Sequence, residues 1–72
     1  MDIKSIKRRL KEIREVAYDG DNEVAYDMEI ELYKDFIQYI ASGGGELPGA
    51  EPKANAQEVL KAGKIAFNRW TA

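Results

Sequence analysis

The sequence of 72 residues contains no cysteine and no histidine. Without cysteine no disulfide can brace so short a chain, and without either residue the Cys/His metal sites of many small domains are excluded. Histidine is also the usual base that activates a nucleophilic hydroxyl, so this kind of catalysis lacks its base. Stability is therefore expected to come from helix packing or from association between chains, and we predict no enzyme activity and no cofactor.

Long apolar runs are missing as well. No segment approaches the ~18 consecutive apolar residues of a membrane span, and no apolar stretch of a signal peptide follows the charged first residues. With 44% hydrophobic and 33% charged residues, the chain is too apolar to be disordered. We expect one domain over residues 1–72, located in the cytoplasm, whose reducing environment fits the lack of cysteine.

The charges that are present are sorted along the chain. Residues 1–18 carry six basic and three acidic side chains, whereas residues 19–41 carry seven acidic side chains and one basic. The remaining residues have a net charge of +1. This sorting predicts a basic element that packs beside an acidic one.

Apolar spacing predicts a helical hairpin. A stripe with alternating spacings of three and four indicates a helix over 3–17, capped by Asp2, and consists of Ile3, Ile6, Leu10, Ile13 and Ala17. The run 18–22 has the composition of a turn, and the next helix is predicted over 23–41, ending before Gly43. The short turn makes the two helices antiparallel neighbours.

The second helix carries two apolar stripes. The first, which should face the first helix, consists of Ala25, Met28, Leu32, Phe36 and Tyr39. The second consists of Tyr26, Ile30, Tyr33, Ile37 and Ile40. Together they are wider than one partner helix requires, so the second stripe needs another cover.

The rest of the chain supplies part of that cover. Residues 42–54 have the composition of a loop, and Asn55 with Glu58 resembles a capping box, which predicts a short helix over 55–62. Ile65, Phe67 and Trp70 are expected to pack on the second stripe, with help from Val59 and Leu60. The predicted fold class is therefore all-α: an antiparallel helical hairpin, a short third helix and a packed C-terminal segment. Because this cover is small, we predict a homodimer that buries part of the second stripe.

Glu29 projects between the two stripes, and a buried carboxylate needs a partner. Arg14 lies at a similar height on the first helix, so we predict a structural ion pair between Glu29 and Arg14.

Metal-dependent chemistry finds little support in the sequence. Asp19, Asp21 and Glu23 resemble the start of a calcium-binding loop, but the glycine and glutamate that the loop needs further on are absent. Glu12 and Glu15 form half of the ExxE…ExxD pattern of all-α nucleotide pyrophosphohydrolases, and the second half is missing. We interpret these residues as turn, cap and surface positions, and predict no metal site.

Six residues are candidates for binding a partner. Aromatic and aliphatic side chains on the second stripe could anchor an interface, and basic side chains could contact an acidic surface. The candidates are Tyr26, Tyr33, Ile37, Arg8, Arg9 and Arg69. The basic run at residues 7–11 could also contact phosphate, but a pI near 5.1 and the lack of a recognition-helix pattern favour a solvated helix face.

Two short segments, Gly20–Tyr26 (GDNEVAY) and Phe67–Ala72 (FNRWTA), resemble a group of uncharacterised short tailed-phage proteins. Those proteins have a basic helix, a GDDE-A-H type turn, an acidic helix and a tail with an aromatic residue, arginine and tryptophan. Tyr26 stands where the group tends to have histidine. The resemblance implies phage origin and no established activity.

Phage genes of this size commonly encode proteins that block a host factor. We therefore expect a non-enzymatic binder of a host protein with a host-takeover or anti-defence role. Two alternatives remain open: an oligomeric sponge for a small nucleotide signal, and a weak nucleic-acid binder that uses the basic face of the first helix.

Overall fold

The computed structural model describes residues 1–69, and these form three α-helices and two short 3-10 helices. The helices are α1 (Ile3–Tyr18), α2 (Asn22–Ala41) and α3 (Pro52–Leu60). The 3-10 helices span Gly44–Glu46 and Lys61–Lys64. No strand occurs among the described residues. The predicted all-α fold, with a helical hairpin and a short third helix, is confirmed.

Helix α1 begins at the predicted cap. The carboxylate of Asp2 accepts a hydrogen bond of 2.9 Å from the backbone N–H of Ser5, and the Ser5 hydroxyl donates to the Asp2 carbonyl oxygen at 2.9 Å. The first of these bonds satisfies a backbone donor that the first helical turn leaves free. The pKa of the Asp2 carboxyl is lowered from its ordinary value. The largest cause is the hydrogen bond from the Ser5 N–H, which stabilises the charged carboxylate, and the Ser5 hydroxyl adds to the effect.

A tight turn joins α1 to α2. Gly20 has a φ of 85°, which L-residues with a side chain rarely adopt. The Asp21 carboxylate then caps α2 by accepting from the Val24 N–H at 3.4 Å. The chain thus reverses within three residues, which places α2 antiparallel to α1.

All three helices contribute to one core. It consists of Ile6, Leu10 and Ile13 from α1, Ala25, Leu32 and Phe36 from α2, and Val59 and Ala62 from α3 and the turn after it. The residues from α1 and α2 are those of the predicted stripes that face each other. The third group fills the groove on one side of the hairpin.

Helix α3 starts earlier than predicted. Pro52 occupies its first turn, where the missing N–H costs nothing and the fixed φ suits the helix. Asn55, predicted as the cap, is instead buried inside α3, and its side-chain amide donates to the Met1 carbonyl oxygen at 3.4 Å. The helix therefore begins inside the segment that composition marked as a loop.

The C-terminal segment packs on the helices as far as it is described. Ile65 and Phe67 are half-buried against the core. Val59 is buried as expected, but Leu60 remains 67% exposed and so covers little. The predicted packing of Trp70 lies outside the described residues.

Candidate functional site

Glu29 is a buried carboxylate at the centre of a polar network. Its side chain is only 5% exposed. One carboxylate oxygen, Oε2, accepts a hydrogen bond of 2.6 Å from the Tyr33 hydroxyl, one turn further along α2. The other, Oε1, accepts from Nε of Arg69 at 2.7 Å. Both oxygens therefore have a donor, which compensates the removal of the charge from water.

Arg69 connects this carboxylate to the turn after α3. Its Nη2 donates to the Ala62 carbonyl oxygen at 3.0 Å, and its guanidinium lies 3.8 Å from the centre of the Phe67 ring. The same side chain thus makes an ion pair, a bond to backbone and a cation–π contact. These contacts fasten the C-terminal segment to α2.

The network also changes the acidity of Tyr33. Burial is the largest cause of a raised pKa for this phenol, and together with the hydrogen bond to Glu29 and the charge of Glu29 it shifts the pKa from 10.0 to about 12. A tyrosinate beside an ionised carboxylate would be doubly unfavourable. Tyr33 is therefore a neutral hydrogen-bond donor rather than a base.

The predicted ion pair between Glu29 and Arg14 is wrong. Glu29 is buried, as its position between the stripes indicated, but its cationic partner is Arg69. Arg14 is exposed on α1. The second stripe faces the groove that α3 and the C-terminal segment fill, so the partner comes from that side.

The predicted partner-binding residues fall into two groups. Tyr33 and Arg69 direct their polar groups inward to Glu29, so their role in the structure is internal. Arg9 also has an internal partner, because its Nη1 lies 2.9 Å from Oδ2 of Asp35 on α2. These three are therefore poor candidates for contacts with a second molecule.

The other three remain available to a partner. Arg8 is exposed, with a loose pair to Glu12 at 3.8 Å. Tyr26 is half-buried, and Ile37 is 66% exposed.

Ile37 belongs to an apolar surface on the side of α2 that faces α3. A Cβ built on Gly45 would lie 3.4 Å from Cδ1 of Ile40 and 3.2 Å from Cβ of Pro52, so the start of α3 adjoins the end of α2. A Cβ on Gly63 would lie 3.3 Å from the Tyr33 hydroxyl, so the turn after α3 adjoins the middle of α2. Helix α3 therefore runs antiparallel along α2.

Helical spacing places further apolar residues on this surface. Pro52, Ala56 and Leu60 are four residues apart on one side of α3, and the first of them lies beside Gly45, after the end of α2. Ile37 and Ile40 occupy the facing edge of α2. Ile40 is 40% exposed, and Ile37 and Leu60 are each exposed by about two thirds. We call Ile37, Ile40, Ala56 and Leu60 the apolar patch.

The sequence analysis predicts that Leu60 helps to cover the second stripe of α2, and does not place it on this exposed surface. The signal for this surface is Pro52, because proline favours the first turn of a helix and so extends the side of α3 that carries Ala56 and Leu60 by one turn. With the predicted start at Asn55, the face that includes Pro52 and Ala56 was not recognised.

The acidic residues of the two metal-binding motifs in the sequence act as a cap and as surface ion-pair partners. Asp21 caps α2, and Glu12 and Glu15 pair loosely with Arg8 and Lys11 along α1. Among residues 1–69, no cluster of three or more acidic side chains is arranged to hold a metal ion.

Comparison with protein-family models, with curated proteins and with solved structures found no match to this chain. The resemblance to tailed-phage proteins therefore stays a prediction. Within the described part of the chain, every helix is too short or too polar to cross a membrane.

Proposed function

We propose that this protein is a non-enzymatic binding protein, which engages a protein partner through the apolar patch and inhibits that partner by occupying its surface. The observation that carries the proposal is the exposure of Ile37 and Leu60, two large aliphatic side chains on adjacent helices. Single exposed aliphatic residues are common on soluble proteins, whereas neighbouring ones on two packed helices form a surface that gains free energy when it is covered.

The support beneath the patch suits a binding surface. The core of α1, α2 and α3 lies under it, and the network of Glu29, Tyr33 and Arg69 fixes the turn after α3 against α2. Side chains presented by two fixed helices lose little backbone entropy on binding. A rigid apolar surface of this kind can occupy a groove on a partner.

The resemblance of residues 20–26 and 67–72 to short tailed-phage proteins directs the proposal to a host protein. In this proposal the chain acts in the host cytoplasm, in a host-takeover or anti-defence role. Inhibition by occupancy requires no nucleophile, base or metal.

The test compares two double variants of the full chain. Ile37→Asp with Leu60→Asp places two charges on the apolar patch. Val24→Asp with Leu47→Asp makes the same chemical change at two exposed apolar residues outside it, which are 43% and 58% exposed. Each tagged protein is used to capture partners from host cells, and the captured protein is then purified and titrated directly by calorimetry.

The proposal expects one purified partner that binds the wild type and the Val24/Leu47 control with equal affinity. Each buried anchor contributes on the order of 2 kcal/mol, so the Ile37/Leu60 variant should bind at least 100-fold more weakly. Equal binding by both variants would exclude the apolar patch as the interface.

A further inference from the structure

A second surface lies on the opposite side of α3. The end of α1 and the turn after α3 form the walls of an open groove of about 640 Å³. This size is within the range of small-molecule sites. The groove is lined by Arg14, Ala17, Tyr18, Lys61, Lys64, Ile65 and Ala66. We call it the basic groove.

The charge of the basic groove is of one sign. Three of its lining residues are cations, Arg14, Lys61 and Lys64, and none is acidic. Lys61 shares its charge with Glu58, whose carboxylate lies 2.9 Å from Nζ. Within residues 1–69, Arg14 and Lys64 have no ion pair. Two cations on different segments thus face one cavity without an ion-pair partner, and two carboxylates, Glu15 and Asp19, line the adjoining cavity that Arg14 and Tyr18 share. Such an arrangement favours an anionic ligand.

Tyr18 adds an aromatic surface at the edge of this groove. It is the last residue of α1 and is 92% exposed. An exposed ring beside a cationic groove can stack on a planar base, and this combination is the general means by which proteins hold unpaired nucleotides. Ala17 and Ile65 provide an apolar floor between the ring and the cations.

We propose that the basic groove binds a nucleotide unit, with the base stacked on Tyr18 and the phosphate held by Arg14, Lys61 and Lys64. The unit comes either from a free nucleotide or from a single strand, since both present the same base and phosphate. The basic groove shares no residue with the apolar patch, so this inference does not depend on the proposed function.

The test titrates the full chain against a fluorescein-labelled ten-residue oligothymidylate and, separately, against unlabelled ATP, at 50 and 200 mM salt. Three cations that neutralise phosphate on a single strand give a slope of about −2 in log K against log salt. Affinity for the oligonucleotide should therefore fall about 20-fold between the two salt concentrations. If ATP displaces the oligonucleotide at a comparable concentration of nucleotide units, the ligand is a free nucleotide. If only the oligonucleotide binds, the ligand is a single strand.

Matched variants locate the site. Tyr18→Ala should weaken binding at least fivefold and leave the salt slope unchanged, because it removes stacking and no charge. Arg14→Gln with Lys64→Gln should weaken binding and reduce the slope to about −0.7. Lys4→Gln with Lys53→Gln is the control, because it removes the same charge from the opposite ends of α1 and α3. It should change neither quantity measurably. All five residues are exposed, so circular dichroism should be the same for every variant.

Three results would overturn the proposal. The first is no binding of either probe at millimolar concentration in 50 mM salt. The second is an equal loss in the Lys4/Lys53 control, which would show diffuse charge attraction. The third is full displacement of the oligonucleotide by a ten-residue oligoglutamate at the same concentration, which would show that the groove recognises charge and not a nucleotide.

Discussion

Glu29 joins two segments that are forty residues apart in the chain. Its carboxylate accepts from Arg69 at 2.7 Å and from Tyr33 at 2.6 Å, and it is almost fully buried. Removing one member of such a group leaves the others without a partner, and this loss is larger than the net contribution of the pair.

Glu29→Ala should therefore lower the free energy of unfolding by about 3 kcal/mol, measured by urea denaturation. Glu31→Ala, at an exposed position of the same helix, is the matched control and should change it by less than about 0.5 kcal/mol. A loss below about 1 kcal/mol for Glu29→Ala would place the pair among ordinary surface ion pairs and contradict this account.

The raised pKa of Tyr33 predicts that the stability of the folded protein falls at alkaline pH. Its pKa is raised in the folded protein from 10.0 to about 12, so its contribution to stability is complete below pH 10. The contribution is lost as pH rises from about 10 through 12, because the unfolded chain then releases this proton more readily than the folded one.

Unfolding experiments between pH 9 and 12 should accordingly show a steeper loss of stability for the wild type than for Tyr33→Phe. Tyr18→Phe, which removes an exposed phenol, should follow the wild type. Parallel curves for all three proteins would show that Tyr33 titrates normally.

Tyr33→Phe should also lower the free energy of unfolding by about 1–3 kcal/mol at neutral pH, because Glu29 loses a donor.

The burial of Glu29 could be predicted from sequence, but its partner could not. Helical periodicity fixes the direction of a side chain on α2 because the backbone is regular there. Arg69 follows a 3-10 turn and an irregular segment, where spacing carries no directional information. Arg14 is the nearest cation that periodicity can place, but its exposed side chain lines the groove between α1 and the turn after α3.

At the scale of the elements, the hairpin followed from the stripes, whereas α3 did not follow from its cap signal. The Asn55–Glu58 pair has the spacing of a capping box, yet Pro52 is already in the first turn of the helix. By composition, proline within a glycine-rich stretch predicts a loop. Its preference for the first turn of a helix was the stronger determinant.

The segment that follows α2 depends on a close contact. The Tyr39 hydroxyl donates to the Gly44 carbonyl oxygen at 3.0 Å, and a Cβ on Gly44 would collide with the Tyr39 ring. Gly44 is also buried, so a side chain added there would have to displace the half-buried Tyr39 ring. This contact sets the direction in which the chain leaves α2 toward α3.

Gly44→Ala should lower the free energy of unfolding by about 1–3 kcal/mol, as overpacking does. Combined with Tyr39→Ala, the same change should cost much less, because the clashing ring is then absent. Thermal unfolding of both single variants and the double variant measures this coupling. Additive losses would mean that Gly44 acts through its backbone conformation and not through the contact with Tyr39.

At the scale of the whole molecule, the described residues form an elongated body of 40 × 18 × 14 Å. The basic and acidic segments of the sequence form neighbouring helices, because the basic α1 packs beside the acidic α2. The ion pair of Arg9 with Asp35 bridges the two helices, and its 2.9 Å contact is one consequence of this sorting. The apolar patch lies on the α2 and α3 side, and the basic groove lies between α1 and the turn after α3.

The exposed apolar patch also predicts that the protein self-associates. The C-terminal segment covers the second stripe only in part, since Ile37 remains 66% exposed and Leu60 joins it at 67%. A two-fold axis through the apolar patch would place these residues against their copies and remove them from water. The patch is small for an obligate dimer, so the expected state is a weak dimer that forms as concentration rises.

Sedimentation equilibrium over a range of concentrations should show this dimer for the wild type and for Val24→Asp with Leu47→Asp. Ile37→Asp with Leu60→Asp should remain monomeric, because like charges would meet across the axis. Its unfolding transition should shift little, since both side chains are exposed in the monomer. A purified protein partner that uses the same patch should dissociate the dimer when it is added, because one surface cannot be covered twice. A wild type that stays monomeric at every concentration would contradict the dimer, and the apolar patch would then be free for a partner without competition.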